Sequence, residues 1–242
     1  MKYRLHLLII LLALALNTYA QDNKPSNFNL SVGADLVTSY LWRGIQQGTG
    51  PAIQPWGEWS YKGFTLGAWG SYELTGAFKE VDLYAKYTYK DFSLLYVDLF
   101  FPDYVLLDQN YFNFKNATTG HASELALSFN GSESIPFSVY GGVMLYGTSI
   151  DPKVSDSTAI NHSTYFEVSY LGKFKDYSYN IFAGFTPTES RLYGTKEFSV
   201  FNVGASAKKA IKVTSDFSIP LKLTLATNPV SKKVFMTAVV SL

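Results

Sequence analysis

The sequence predicts an all-β chain closed into a transmembrane antiparallel up-and-down β-barrel of about twelve strands. Three observations predict it. Apolar and polar residues alternate at period two through runs of about ten residues, the length a strand needs to cross a membrane obliquely. The connections between those runs are by turns short and long. Aromatic residues make up 17% of the chain, with 18 Tyr and 18 Phe, an enrichment that interface girdles require.

The first twenty residues read as an export signal. Lys2 and Arg4 form its charged front, Leu7–Leu16 its apolar run, and Thr18-Tyr19-Ala20 a small-residue cleavage context. The run is shorter than the roughly 20 residues of a helical span. Cleavage after Ala20 leaves 21–242 as the barrel. The chain contains no cysteine, which excludes a lipidated N-terminus and any disulfide. Removing Lys2 and Arg4 moves the formal charge from +1 to −1, a balance that argues against a nucleic-acid partner. Beyond the signal no apolar run approaches spanning length, so a helical membrane protein is excluded.

The first strand is expected over Ser31–Gly44. Val32, Ala34, Leu36, Thr38, Tyr40 and Trp42 share its apolar face, and Gly33, Asp35 and Arg43 lie opposite. Such a face in lipid requires closure of the sheet, because an open edge leaves backbone groups unpaired. The following strands are Ala52–Tyr61 and Phe64–Leu74, joined by the turn Lys62-Gly63, then Glu80–Tyr89 and Phe92–Phe101, joined by Lys90-Asp91. Pro102 ends pairing there. Next come His121–Phe129, Phe137–Gly147, Ser163–Leu171, Tyr177–Thr186, Phe198–Lys208, Phe217–Ala226 and Lys233–Leu242. Connections after even strands are mostly short and those after odd strands include the longest, 102–120 and 148–161. Lys209–Ser215 is longer than that pattern prefers. Short periplasmic turns with long outer loops are the pattern of a bacterial outer-membrane barrel.

Val32–Ser71 resembles the TorF-type porins, a family of small outer-membrane barrels. The matching residues are Val32-Gly33, Ser39-Tyr40, Trp42-Arg43-Gly44, Pro51, Ile53, Gln54-Pro55, Gly63 and Gly67-Ala68-Trp69. The resemblance covers the first three strands and implies a transport-type barrel. The chain ends in Leu242, where outer-membrane barrels usually carry an aromatic residue.

Strand parity assigns Asp35, Glu58, Glu73, Glu80, Asp82, Asp98, Glu124 and Glu167 to the lumen, with Arg43, Lys86, Lys208 and Lys222 as the bases. The excess of acids predicts a pore that prefers cations. Trp56, Trp69, Tyr84, Tyr140, Tyr146 and Tyr165 share that parity and fill a narrow interior or form a stacking track. Tyr40 and Trp42 are expected in the outer aromatic girdle, with Arg43 either reaching headgroups or charging the pore mouth. The apolar loop segments Tyr104–Leu107 and Tyr111–Phe114 are expected to fold onto the mouth or into the lumen, or to dock against a protomer or lipopolysaccharide.

The sharpest enzymatic pattern is His121-Ala122-Ser123. Outer-membrane phospholipases, also twelve-stranded, carry a His-x-Ser pair on the lipid face, but no flanking motif matches here and no orienting partner is identifiable. His162 has no neighbour at ligand spacing, so no metal site is expected. The sequence thus predicts a non-enzymatic channel without a cofactor, in contact with lipid, lipopolysaccharide, and small solutes or ions. A closed structural or adhesive barrel and a lipid-active hydrolase are the rivals. Oligomeric state is not encoded in any pattern found.

Overall fold

The computed structural model describes residues 28–102 and 110–242. The expected export signal and Tyr104–Leu107 lie outside the described residues. Among the described residues there is no helix, and the strands run in chain order as β1 (Phe28–Val37), β2 (Tyr40–Trp42), β3 (Ile45–Gln47), β4 (Ala52–Tyr61), β5 (Phe64–Glu73), β6 (Lys79–Tyr89) and β7 (Phe92–Phe100). They continue as β8 (His121–Phe129), β9 (Phe137–Tyr146), β10 (Thr164–Phe174), β11 (Tyr177–Thr186), β12 (Ser199–Lys212), β13 (Ser218–Asn228) and β14 (Lys233–Ser241).

All but β2 and β3 join one closed barrel of twelve antiparallel strands. Every neighbour in sequence pairs with the next, and β1 closes the sheet by meeting both β4 and β14. The seam is held by Asp35–Ser241, Leu36–Val240 and Val37–Val239, with Leu242 N donating to Ala34 O at 2.9 Å. Closure leaves no edge to template pairing with another chain.

One barrel end carries short turns, at 62–63, 90–91, 130–136, 175–176 and 213–217. At Lys62-Gly63 both residues have positive φ (47° and 84°), the primed-turn geometry whose twist matches a hairpin. The other end carries 38–51, 101–120, 147–163 and 187–198 as well as two shorter links. The connection that looked too long, Lys209–Ser215, shortens to 213–217 because β12 continues to Lys212.

The polarity is inverted relative to a water-soluble barrel. Outside, Leu30 (59% exposed), Leu127 (58%), Leu225 (58%) and Met236 (80%) stand among a continuous set of exposed apolar side chains. The most buried positions include Glu124 (2%), Glu80 (3%) and Asp82 (8%). A water-soluble fold buries its apolar face and leaves ionisable groups in solvent, the reverse of the arrangement here.

Two strand-level expectations are corrected. The first strand stops at Val37, and the residues that continue its alternation form the separate hairpin β2–β3. The parity of β7 is reversed: Leu95, Val97 and Leu99 pair with the inward Lys86, Tyr84 and Asp82, so Asp98 points outward. Both faces of β7 are almost wholly apolar, Phe92, Leu94, Tyr96 and Phe100 against Leu95, Val97 and Leu99, so alternation alone does not orient it. Tyr146, paired with Ser123, is also outward rather than in the lumen.

Candidate functional site: a hairpin latched across the lumen

The segment 38–51 turns into the barrel. Tyr40–Trp42 pairs with Ile45–Gln47 through a two-residue turn, Arg43-Gly44, in which both residues have positive φ (49° and 70°). That is again a primed hairpin turn, here with an arginine in a conformation glycine or asparagine adopts more readily. A Cβ on Gly44 would come within 2.6 Å of the Phe201 carbonyl oxygen, so the tip sits flush against β12. Asn228 Nδ2 donates to the Gly44 carbonyl at 3.1 Å, tying the tip to β13 as well. At the base, Thr49 donates through its amide (2.7 Å) and hydroxyl (3.1 Å) to Glu73 Oε1.

Arg43 grips the opposite wall. Its Nη1 and Nη2 each donate to one oxygen of Glu124 at 2.8 Å, the bidentate geometry that suits guanidinium to carboxylate. Nη1 also donates to Tyr193 Oη at 2.8 Å and Nη2 to Tyr140 Oη at 2.9 Å. Trp42, Tyr140 and Tyr165 place ring centres 4.7, 5.2 and 4.4 Å from the guanidinium carbon. The Tyr140 hydroxyl in turn donates to Glu124. A weakly hydrated planar cation with all four Nη–H donors aimed at acceptors is the kind of charge that a protein can bury.

Two β-bulges build this cage. Ser123 faces Tyr146 while Glu124 faces Met144, so β9 carries an extra residue beside Glu124. Gly184 faces Asn202 while Phe185 faces Val200, which leaves Phe201 as the extra residue of β12. Phe201 is fully buried and packs on Tyr193 (4.8 Å) and Tyr165 (5.6 Å). Bulges re-aim side chains, and both occur where the hairpin meets the wall.

The loops above hold the cage shut. Asp151 accepts from Ser163 N (2.8 Å) and Ser163 Oγ (2.6 Å), and Ser163 Oγ contacts Ser190 Oγ at 2.5 Å. Tyr193 N donates to Ser190 Oγ at 3.2 Å, so this small network fixes Tyr193 over Arg43. Burial, opposed by nearby Arg43, pushes the Tyr193 phenol up to about 12, which keeps it a neutral hydroxyl able to accept from the guanidinium.

Of the residues assigned to the lumen by parity, Asp35, Glu58, Glu73, Glu80, Asp82, Lys86, Glu124, Glu167 and Lys222 sit on inward-facing strand positions. Arg43 is inside too, but on the hairpin tip rather than at a strand end, and Asp98 is outside. Tyr40 and Trp42 are not girdle residues: Tyr40 packs on Trp69 (5.3 Å) and Phe78 (6.0 Å), and Trp42 on Tyr193 (5.8 Å). Lys86 Nζ lies 3.8 Å from Glu58 Oε1, and Tyr84 donates to the same oxygen at 2.7 Å. Lys173, which lies beyond the strand expected to end at Leu171 but within β10, joins Lys208 and Lys222 around a cavity of about 630 Å³ near the short-turn end. Apart from Asp35 on β1, Lys86 on β6 and Glu167 on β10, acids lie along β4–β8 and lysines across β10–β13.

The His-x-Ser pair lies outside. Asp98, His121 and Ser123 share one outward face, and His121 Nδ1 lies 2.9 Å from Asp98 Oδ2. That supplies the orienting partner that the sequence lacked. His121 Nε2, however, lies 2.7 Å from the Tyr111 carbonyl oxygen, which can only accept. Nε2 therefore carries a proton and has no lone pair to take one from Ser123. Phe114 stacks on His121 at 4.6 Å, and Tyr146 Oη donates to the Phe114 carbonyl. The aromatic loop segment Tyr111–Phe114 thus covers the outer wall, not the lumen.

No family model matches this chain, and no curated protein shows significant similarity to it.

Proposed function

We propose that this protein is a bacterial outer-membrane channel that passes small solutes by diffusion, prefers cations, and has its lumen narrowed by the β2–β3 hairpin. The observation that carries this reading is the inverted polarity of a closed barrel: apolar side chains outside, ionisable ones within. Lipid and lipopolysaccharide surround the apolar wall, and the aromatic segment Tyr111–Phe114 lies against it at the long-loop end. Pore width at the hairpin and the charge lining it decide what crosses. No catalytic step is assigned, because His121 is committed to Asp98 and the Tyr111 carbonyl. The resemblance to TorF-type porins falls on the hairpin itself, at Tyr40 and Trp42-Arg43-Gly44, and membership of that family is part of the proposal.

The test is a planar-bilayer recording of the folded protein across a salt gradient. Discrete conductance steps with a cation-selective reversal potential support the reading; a sealed membrane, or anion selectivity, overturns it. A second reading, a closed structural barrel, draws on the same hairpin, whose tip reaches β12 and β13 while Arg43 reaches β8 and β9. Absence of conductance in wild type and latch variants alike would favour it.

A further inference from the structure

Tyr40, Trp42 and Leu99 line two lumen cavities at once. The outer one, about 310 Å³, includes Glu80 in its wall, and the inner one, about 370 Å³, includes Asp82. Both volumes fall in the range of small-molecule sites, about 300–1,000 Å³. Glu80 and Asp82 stand two residues apart on the inward face of β6, so the two carboxyls run past the aromatic partition from one chamber to the next.

The charges around them are otherwise accounted for. Arg43 is bound to Glu124, Lys86 lies beside Glu58, and Arg191, exposed at the edge of the outer cavity, donates to the Val154 carbonyl at 3.0 Å. Asp82 is 8% exposed and its Oδ1 has no hydrogen-bond partner. Two carboxyl groups close together on a buried wall either share a proton or take a cation between them, so the pair can receive one positive charge. Among the described residues no three acidic or histidine side chains converge to hold a metal ion, whose oxygen-ligand demand is high. What surrounds the carboxyls is aromatic: Tyr40 and Trp69, 5.3 Å apart, with Trp42 and Tyr84 on the same inner cavity. Aromatic faces attract ammonium groups that are weakly hydrated.

We propose that the Glu80–Asp82 pair and the Tyr40, Trp42 and Trp69 rings form a binding site for a small organic ammonium ion. As the selective step of transport this deepens the channel reading and rests on it, whereas binding itself is independent of conduction.

The experiment titrates the detergent-folded barrel with tetramethylammonium chloride and follows intrinsic tryptophan fluorescence, since Trp42 and Trp69 line the site. Sodium chloride at matched ionic strength and neutral tert-butanol are the controls. A saturable change with tetramethylammonium alone is expected, weakened about tenfold or more in Asp82→Asn. Retained folding of that variant is checked by heat-dependent gel mobility. If it does not fold, Trp69→Leu takes its place and should also weaken binding. Equal responses to sodium or tert-butanol in wild type, which require no variant, overturn the site, as does undiminished binding in a folded variant. A barrel that conducts cations yet ignores tetramethylammonium defeats this inference alone, and one that binds it but never conducts defeats the channel reading alone.

Discussion

Arg43→Ala should release the hairpin. The substitution removes a bidentate pair to Glu124 at 2.8 Å, contacts to Tyr193 and Tyr140, and a cation framed by three rings. It leaves the Glu124 carboxylate 2% exposed with its cationic partner gone. Breaking a buried pair from one side costs about 3–5 kcal/mol. At about 1.4 kcal/mol per tenfold, the docked-to-released ratio of the hairpin falls by roughly two to more than three powers of ten. Single-channel recording should show higher mean conductance and more frequent open states. Glu124→Gln should act in the same direction, and the double variant should cost much less than the sum. A coupling of about 2–3 kcal/mol in thermal or denaturant unfolding is expected from such a cycle. Additive effects together with unchanged conductance would refute the latch.

Further predictions concern selectivity, orientation and pH. Asp82→Asn and Glu73→Gln should lower the cation preference measured by reversal potential, whereas Asp98→Asn, on the outer wall, should leave it unchanged. Tags placed in 148–161 or 187–197 should be labelled on intact cells; labelling only after envelope permeabilisation would invert the topology. Burial holds the Asp151 carboxyl above its usual range, despite the hydrogen bonds from Ser163. The folded loop thus keeps that proton more tightly than the unfolded chain, so its stability is fully present at acid pH and falls as pH rises from the ordinary carboxyl range through the raised value. Hydrogen exchange across 147–163 should show that slope, and Asp151→Asn should flatten it; the opposite slope would contradict the assignment.

Much of the barrel was legible because period-two alternation and turn residues act locally. Strands β4, β5 and β6 announce their inward faces through Glu58, Glu73, Glu80, Asp82 and Lys86 against Leu66 and Leu83. Strand β7 offers no such contrast, and the single Asp98 pulled its inferred parity the wrong way. Orientation there comes from pairing Leu99 with Asp82 and Ala122, which no local pattern carries. The hairpin hid because its alternation continues that of β1, and because Arg43 is not a usual residue at positive φ. Two signals could have exposed it: a fourteen-residue run exceeds the need of a spanning strand, and Gly44 follows an arginine with Gln46-Gln47-Gly48 beyond. The latch itself joins residues 81 and 150 positions apart and depends on bulges, so its partners are set by closure of the barrel rather than by sequence neighbours.

The most direct test of the central claim removes the hairpin and leaves the barrel intact. Val37 and Ala52 are cross-strand partners, so a short Gly-Asn-Gly link between Thr38 and Pro51 can replace the intervening residues as an ordinary hairpin turn. Single-channel conductance of this chain should exceed that of wild type several-fold while the cation preference persists. Equal conductance in the two chains would contradict the account.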